Sequence, residues 1–120
     1  MTLKILVTGG EGRFAKILKK KNRKLNIVYK TKKELDILNI NSINRSIKKE
    51  KPKIILHTAG LSRPMNIHDS DISKSINLNI VGTCNIVKEA SKSRIKIIYL
   101  STSYVYPGKK GNYKEEDALK

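Results

Sequence analysis

The sequence predicts an α/β fold with an incomplete, doubly wound parallel sheet of about five strands in the order 3-2-1-4-5. Two observations support this prediction. An apolar run near the N-terminus stops at a cluster of glycines, and a helix-like pattern begins directly after it. Further along the chain, strand-like apolar runs alternate with helix-like ones. This alternation is typical of β-α-β units with right-handed crossovers and helices on both faces of a sheet. The 120 residues are enough for a single domain.

The first strand is predicted over residues 3–7, and a helix follows the glycine cluster. A strand, a tight turn and a helix are the geometry that places a pyrophosphate at a helix N-terminus. Gly9 and Gly10 allow the sharp turn, and Gly12 lets the backbone approach a phosphate. The small Ala15 lets the helix pack closely on the strand. The alternative interpretation is an ordinary strand-to-helix turn that needs glycine for a positive φ.

The remaining elements are predicted from apolar periodicity and from capping and breaking residues. In order they are a strand at 25–29, a short strand or turn at 35–37, a helix capped by Asn41 or Ser42 that reaches about Glu50 and stops at Pro52, a strand at 53–57, a long helix at about 69–91 and a strand at 95–100. Residues 101–120 are rich in Gly, Pro, Lys and Glu, and we expect a loop there.

Ligands of such sheets bind beyond the carboxyl ends of the strands. The segments that directly follow the predicted strands are Thr8 to Gly12, Lys30 to Lys33, Asp36, His57 to Ser62 and Ser101 to Tyr104. Two of these segments contain many small and hydroxyl residues, at 58–60 and 101–103. Small residues permit close approach of a flat cofactor, and hydroxyls can hold a substrate oxygen. The sequence therefore predicts one ligand site along this edge.

The net charge of +16 comes mostly from lysines that are spread over the whole sequence. The densest cluster, 19–24, ends the first helix, where cations are favourable for the helix dipole. Proteins that read nucleic acids combine a clustered basic face with arginine or aromatic contacts. We therefore expect a solvated basic surface with weak, salt-sensitive binding to polyanions, and no specific nucleic-acid partner.

Other features exclude several classes of protein. No run of 18 apolar residues is present, so no membrane span is expected. The N-terminus enters the first strand directly and leaves no room for a signal peptide. The lone Cys84 fits a reducing cytoplasm and lies in a helical apolar pattern, which predicts a small core residue. His57 and His68 are not near other ligand types at metal spacing, so no metal site is predicted.

Five segments, in order along the chain, carry a resemblance to a known family. They are TGGEGRFA at 8–15, LDI at 35–37, HTAG at 57–60, NIVGT at 79–83 and LSTSYVYPG at 100–108. All five resemble motifs of extended short-chain dehydrogenases/reductases, which have a Rossmann fold. The first resembles the TGxxGxxG fingerprint, the second the adenine-contacting segment and the third the H-x-A-A/G turn. The fourth resembles the N-x-x-G-T helix, and the fifth resembles the S-T-D-Y-V-F-x-G segment. The last is similar to dTDP-4-dehydrorhamnose reductases, and epimerase/dehydratase relatives carry S-S-x-x-V-Y-G. Ser103 replaces the reductase aspartate, and Ala15 the third glycine.

The resemblance implies hydride transfer at a sugar carbon of a dTDP- or UDP-type nucleotide sugar, with NADP or NAD as cofactor. Thr102 is the implied catalytic hydroxyl, which hydrogen-bonds the substrate oxygen. The implied cofactor-binding residues are Gly9, Gly12, Arg13, Phe14, Ala15, Lys30, Asp36, Ile37, Thr58, Ala59, Gly60, Asn79 and Ser101. Lys30, Lys32 and Lys33 follow the second strand, where basic residues favour the 2′-phosphate of NADP. The general abundance of lysine is the alternative explanation for these three.

The family's Tyr-x-x-x-Lys pair is expected on a helix beyond Lys120. Tyr106 and Lys110 have this spacing, but Pro107-Gly108 between them opposes a helix. Tyr29 and Lys33 begin in a strand at the other end of the site. We therefore expect a truncated dinucleotide-binding domain over 1–120 that is inactive alone and comes from an enzyme that could form a homodimer when complete. A non-catalytic dinucleotide-binding module is the alternative, and a basic nucleic-acid-associated protein is a remote one.

The strand at 95–100 is expected at the edge of the sheet. Because an apolar, β-branched edge is a template for pairing with another chain, the 120-residue chain is expected to be marginally stable or to associate.

Overall fold

The computed structural model describes residues 3–117 as a parallel sheet with helices on both faces. The strands are β1 (Lys4–Thr8), β2 (Asn26–Tyr29), β3 (Ile54–His57) and β4 (Lys96–Tyr99). The helices are α1 (Arg13–Lys21), α2 (Ile40–Glu50), α3 (Ile67–Ser70), α4 (Ile72–Ile76), a π-helix (Asn77–Val81), α5 (Gly82–Lys92) and a 3₁₀ turn (Ser103–Val105). The strand order is β2-β1-β3-β4, and all pairs are parallel. This confirms the predicted fold class and the order of the four strands that form.

The segment 35–37, predicted as a short strand or a turn, does not form the fifth strand of the predicted sheet. The segment lies between two turns: the backbone N–H groups of Glu34 and Leu35 both bond to the Thr31 carbonyl in the first turn, and the second turn begins at Ile37. The Asp36 N–H donates to the Ser42 hydroxyl instead of to a neighbouring strand. The apolar side chains on either side, Leu35 and Ile37, are nonetheless buried in the core. The sheet therefore has four strands within the described residues.

Connection geometry places the helices on the two faces. The step from β1 to β2 and the step from β2 to β3 run in opposite directions across the sheet, so right-handed crossovers put α1 and α2 on opposite faces. The step from β3 to β4, which contains α5, runs in the same direction as the step from β2 to β3, and α5 packs beside α2. The main core lies on this second face and consists of Leu6, Leu35, Ile37, Ile43, Ile47, Ile55, Ile86 and Ala90.

Two helix predictions need correction. The cap of α2 is Asn39, whose side chain accepts the Ser42 N–H at 3.1 Å, and not Asn41 or Ser42. The predicted long helix is divided into α3, α4, the π-helix and α5. Cys84 is exposed and not in the core. It lies two residues from both Gly82 and Ile86, which face the sheet, and two residues are a rotation of about 200° in a helix.

The described end of the chain is mostly loop, as predicted, while 118–120 lie outside the described residues. The strand β4 is at the edge of the described sheet, in agreement with expectation. Ile98 and Tyr99 of this strand are 43% and 57% exposed. No helix in 3–117 is both long enough and apolar enough to cross a membrane.

Candidate functional site

Two adjacent cavities lie at the carboxyl edge of the sheet. The Thr102 cavity has a volume of about 350 Å³, and the Asp36 cavity has about 220 Å³. Residues 58–60, directly after β3, line both of them. The two cavities are thus adjacent, and together they are called the groove; they lie at the edge where the sequence predicts a ligand site.

The glycine turn closes one side of the Asp36 cavity. Gly9 has φ +66°, and a Cβ added there would lie 2.8 Å from Ala59 Cα, so a side chain fits neither the backbone conformation nor the space. The Gly10 N–H donates to the Lys30 carbonyl at 2.7 Å, and this bond holds the turn against the end of β2. The turn is therefore fixed on both sides by backbone.

The start of α1 faces this turn without a capping side chain. Gly12 is the N-cap, and nothing from its own side chain can accept the N–H groups of the first turn. Arg13 and Phe14 are exposed in that turn, and Ala15 is completely buried against the sheet. Free N–H groups at the positive end of a helix are a suitable site for an anion such as a phosphate.

The Asp36 cavity also has polar side chains near its wall. Asp36 and Ile37 line it, and the Asp36 carboxylate accepts the Leu38 N–H at 2.9 Å. Lys32 lines it as well and is exposed to solvent. The cavity thus brings an apolar side chain, a carboxylate and a cation to one place.

Lys30 has a different partner from the one that the sequence indicates. Its side chain is buried, with 6% of the residue exposed, and its Nζ lies 2.7 Å from the Glu50 carboxylate at the end of α2. The hydrogen bond from this ammonium lowers the pKa of Glu50. Lys30 therefore contributes its backbone to the glycine turn and its side chain to an ion pair, and Lys32 is the lysine of this segment that reaches the cavity.

The Thr8 hydroxyl organises the wall between the cavities. Thr8 Oγ1 accepts the backbone N–H groups of Thr58 and Ala59, each at 3.1 Å, and lies 2.8 Å from His57 Nδ1. The Thr58 hydroxyl donates to the Thr8 carbonyl. These bonds join the end of β1 to the segment after β3, and so they fix the 58–60 wall.

His57 lies beneath the Thr102 cavity and is 1% exposed. Its Nε2 is 3.0 Å from Thr83 Oγ1 on α5, and its ring stacks on Tyr99 with centroids 5.9 Å apart. Burial lowers the pKa of His57 to about 4, so the ring is neutral near pH 7. A neutral histidine in this position connects β1, β3 and α5 without adding charge to the cavity.

Asn79 lies in the π-helix and holds the loop that comes after the wall. Its Oδ1 accepts the Leu61 N–H at 2.7 Å, and its Nδ2 donates to the Leu61 carbonyl at 2.8 Å. Both ends of the amide are therefore used by backbone, although the residue also lines the Thr102 cavity. Its contribution to a ligand site is to position the loop.

Ser101 and Thr102 line the far side of the same cavity and are exposed. Thr102 Oγ1 accepts the Tyr104 N–H at 3.2 Å, which leaves the hydroxyl hydrogen free to donate. The side chain of Ser103, the third hydroxyl of this segment, lies outside the described residues. The Tyr106 hydroxyl donates to the Lys114 carbonyl at 3.0 Å, and Tyr106 to Lys110 is not helical.

The sequence placed Thr8 at this edge without giving it a role, and it did not assign Thr83 or Tyr99 to the site. Thr8 and His57 are opposite each other in the β1–β3 register, and His57 and Tyr99 in the β3–β4 register. Register is the signal that connects them, but it cannot be read from the sequence without the structure. Thr83 stands in the N-x-x-G-T string, in which only the asparagine was predicted to bind the cofactor.

Comparison with known proteins identifies the family. The RmlD substrate binding domain family matches residues 3–120. The chain belongs to this family. Among relatives of the RmlD substrate binding domain, the dTDP-4-dehydrorhamnose reductase of Aggregatibacter actinomycetemcomitans is 28% identical over 97% of this chain and 40% of its own length. The methionine adenosyltransferase 2 subunit beta of Pongo abelii is 30% identical over 70% of this chain and 25% of its own.

Solved structures of RmlD relatives have the same fold. The dTDP-4-dehydrorhamnose reductase of Bacillus anthracis in complex with NADP superposes with a TM-score of 0.82 at 26% identity. The alignment covers 92% of this chain and 40% of that one. The chain thus spans less than half the length of the relatives that it matches.

Proposed function

We propose that the chain is the NADP- or NAD-binding portion of a nucleotide-sugar oxidoreductase of the dTDP-4-dehydrorhamnose reductase or epimerase/dehydratase type. The observation that carries the proposal is the pair of adjacent cavities, which share residues 58–60 as a wall. An extended ligand could lie with its adenosine in the Asp36 cavity, its pyrophosphate at the start of α1 and its nicotinamide in the Thr102 cavity. A dinucleotide has this sequence of groups.

The residues present fit such a ligand. The Gly9 position has no room for a Cβ, and the uncapped start of α1 offers N–H groups to phosphate oxygens. When bound and reduced, the dinucleotide supplies a hydride for a sugar carbonyl carbon. The Thr102 hydroxyl would donate a hydrogen bond to the carbonyl oxygen, where negative charge develops. As the resemblance implies, the tyrosine and lysine of the Tyr-x-x-x-Lys pair would belong to a part of the protein beyond residue 120.

A binding test on this chain examines the proposal without requiring turnover. NADPH and NADH would be titrated into the wild-type chain, into Gly9→Ala and into the control Gly111→Ala, whose added Cβ meets no atom within 4 Å. Strain at positive φ and displacement of Ala59 should weaken binding in Gly9→Ala by about 10-fold or more. Gly111→Ala should bind like the wild type. Absence of dinucleotide binding to the wild-type chain would contradict the proposal.

The same titration separates this function from the nucleic-acid alternative, and an activity assay separates it from the non-catalytic module. Tight dinucleotide binding that persists in salt would argue against a nucleic-acid protein, whose affinity for its ligand should fall steeply with salt. The non-catalytic module has its own support, since one relative is named as a subunit of another enzyme. A longer form of the protein that oxidises NADPH with a 4-keto nucleotide sugar would decide for the enzyme.

We further propose a preference for NADP, which rests on Lys32. This lysine lines the Asp36 cavity and is free to meet a 2′-phosphate, whereas Lys30 is paired with Glu50. Lys32→Ala should weaken NADPH binding by about 10-fold and leave NADH binding nearly unchanged, because only the former has the phosphate. Lys33→Ala is the matched control, since Lys33 is exposed and does not line the cavity. Equal losses for the two cofactors would argue against this preference.

A further inference from the structure

The three side chains Thr8, His57 and Thr83 form a chain of hydrogen bonds that ends at the Thr102 cavity. Thr8 Oγ1 is 2.8 Å from His57 Nδ1, and His57 Nε2 is 3.0 Å from Thr83 Oγ1. Thr83 itself lines the cavity. The direction of each hydrogen bond in this chain can be determined by counting donors and acceptors.

The Thr8 hydroxyl has its acceptor capacity filled by backbone. Its Oγ1 already accepts two backbone N–H groups, from Thr58 and Ala59. A hydroxyl oxygen has two lone pairs, so it has none left for a third donor. The Thr8 hydroxyl must therefore donate its hydrogen to His57, and Nδ1 of the ring is the acceptor.

This fixes the tautomer of His57. A neutral ring whose Nδ1 accepts carries its hydrogen on Nε2, which then donates to Thr83 Oγ1. Burial supports the neutral state, since it lowers the pKa of His57 to about 4. Stacking on Tyr99 at 5.9 Å restricts the rotation of the ring.

Thr83 is consequently an acceptor toward the protein and has its own hydrogen to donate. In the described part of the chain, its hydroxyl has no hydrogen-bond partner other than the His57 ring. The side chain borders the cavity, so an acceptor in a bound ligand is the available partner.

We propose that the Thr83 hydroxyl donates a hydrogen bond to an oxygen at the nicotinamide-riboside end of the bound dinucleotide, and that Thr8 and His57 orient it to do so. The inference rests on the proposed function and adds a ligand-binding residue to it. Thr8 and His57 are positioning residues in this arrangement, because they act on the ligand only through Thr83.

The variants Thr83→Val and Thr83→Ser test the contact. Valine keeps the shape and removes the hydroxyl, while serine keeps the hydroxyl. The titrated ligands are the reduced dinucleotide that binds more tightly and ADP, which has only the adenosine half. Thr83→Val should weaken the dinucleotide by about 3- to 10-fold, as expected for one hydrogen bond, and ADP by less than about 2-fold. Thr83→Ser should bind both ligands like the wild type.

The outcomes separate the inference from the function on which it rests. If the wild-type chain binds neither ligand, the proposed function fails and the inference fails with it. If the chain binds both ligands and Thr83→Val is unchanged, or loses affinity equally for both, the inference alone is overturned. An equal loss would mean that the variant distorts the common wall.

A second measurement needs no variant and can be made even if Thr83→Val does not fold. The ¹⁵N shifts of the His57 ring in the wild-type chain at pH 7 report which nitrogen is protonated. We expect an unprotonated Nδ1 and a protonated Nε2, with the Nε2 signal shifting when the dinucleotide binds. Protonation at Nδ1, a charged ring or an Nε2 signal that is insensitive to the ligand would overturn the inference.

Discussion

His57 illustrates how the charge state of one residue depends on its place in the fold. In the sequence it begins the segment after a predicted strand, and no metal binding was predicted for it. In the structure it is buried between Thr8 and Thr83 and carries no charge near pH 7. Protonating it would bury a charge with no carboxylate among its hydrogen-bond partners.

The stability of the chain should therefore depend on pH through His57. Burial lowers its pKa from 6.5 to about 4, so between these values the unfolded chain binds more protons than the folded one. The free energy of unfolding then rises with pH through this window, and the contribution of the neutral His57 is fully present above 6.5. Lowering the pH from about 7.5 to about 5 should cost about 2 kcal/mol of stability.

Urea unfolding of the wild type and of His57→Gln at both pH values measures this contribution. Glutamine has no ionisable group, so the part of the pH dependence due to His57 should disappear in the variant. A variant that loses as much stability on acidification as the wild type would show that other groups cause the loss.

The lysines after β2 show what a sequence pattern leaves open for single residues. Lys30, Lys32 and Lys33 are chemically alike and nearly adjacent, and the pattern could place them only near the adenosine end. The choice among them depends on Glu50, which lies 20 positions further along than Lys30 and pairs with it. A long-range partner of this kind has no local signal.

At the level of elements, periodicity and breaking residues predicted most of the fold. The apolar runs at β1, β3 and β4 are short and bounded by turn residues, which is typical of strands. The end of α2 was also predictable, because Pro52 stops a helix. In the structure the helix ends at the left-handed Lys51, directly before this proline. These signals are local, and the structure agrees with them.

The elements that were mispredicted depend on competition between neighbouring hydrogen bonds. Leu35 and Ile37 alternate around Asp36 as in a strand, but the backbone N–H groups of Leu35 and Asp36 bond to Thr31 and Ser42 and not to a neighbouring strand. Ser42 was a candidate cap of α2, but its hydroxyl accepts the Asp36 N–H, and Asn39 caps the helix. Propensity alone does not decide between such partners.

For the whole molecule, the carboxyl edge of the sheet was predictable as the site because topology alone brings the strand ends together. Which side chains point into the groove was predictable only in part. Asp36, Ile37 and the 58–60 segment line it as expected, whereas the side chains of Lys30 and Asn79 are bonded within the protein. Side-chain direction depends on packing, and packing is not encoded locally.

The exposed edge of the sheet should control association of the chain. Ile98 is 43% exposed on β4, which has only β3 as its neighbour among the described strands. Ile98→Lys should reduce concentration-dependent association, since a charge on an edge strand opposes pairing with another chain. Sedimentation velocity over a range of protein concentrations measures the effect.

Ile72→Lys is the matched control for this prediction. Ile72 is 60% exposed on α4, away from the sheet edge, so its replacement changes charge and apolar exposure similarly. If Ile72→Lys lowers association and Ile98→Lys does not, the contact lies on the helical surface. That result would contradict the prediction that the edge strand controls association. A wild-type chain that remains monomeric at all concentrations would contradict association itself.

The π-helix at Asn77–Val81 has a consequence for the tolerance of the chain to deletions. A π-helical turn contains one residue more than an α-helical turn of the same helix. Removing one residue there lets the segment relax to an α-helix, so that α4 and α5 keep their faces. Removing one residue within α5 instead rotates the remainder of that helix by about 100° and turns Ile86 or Ala90 away from the core. We therefore expect a deletion in the π-helix to leave the helix folded and to displace Asn79 from the Leu61 backbone, to which its side chain bonds.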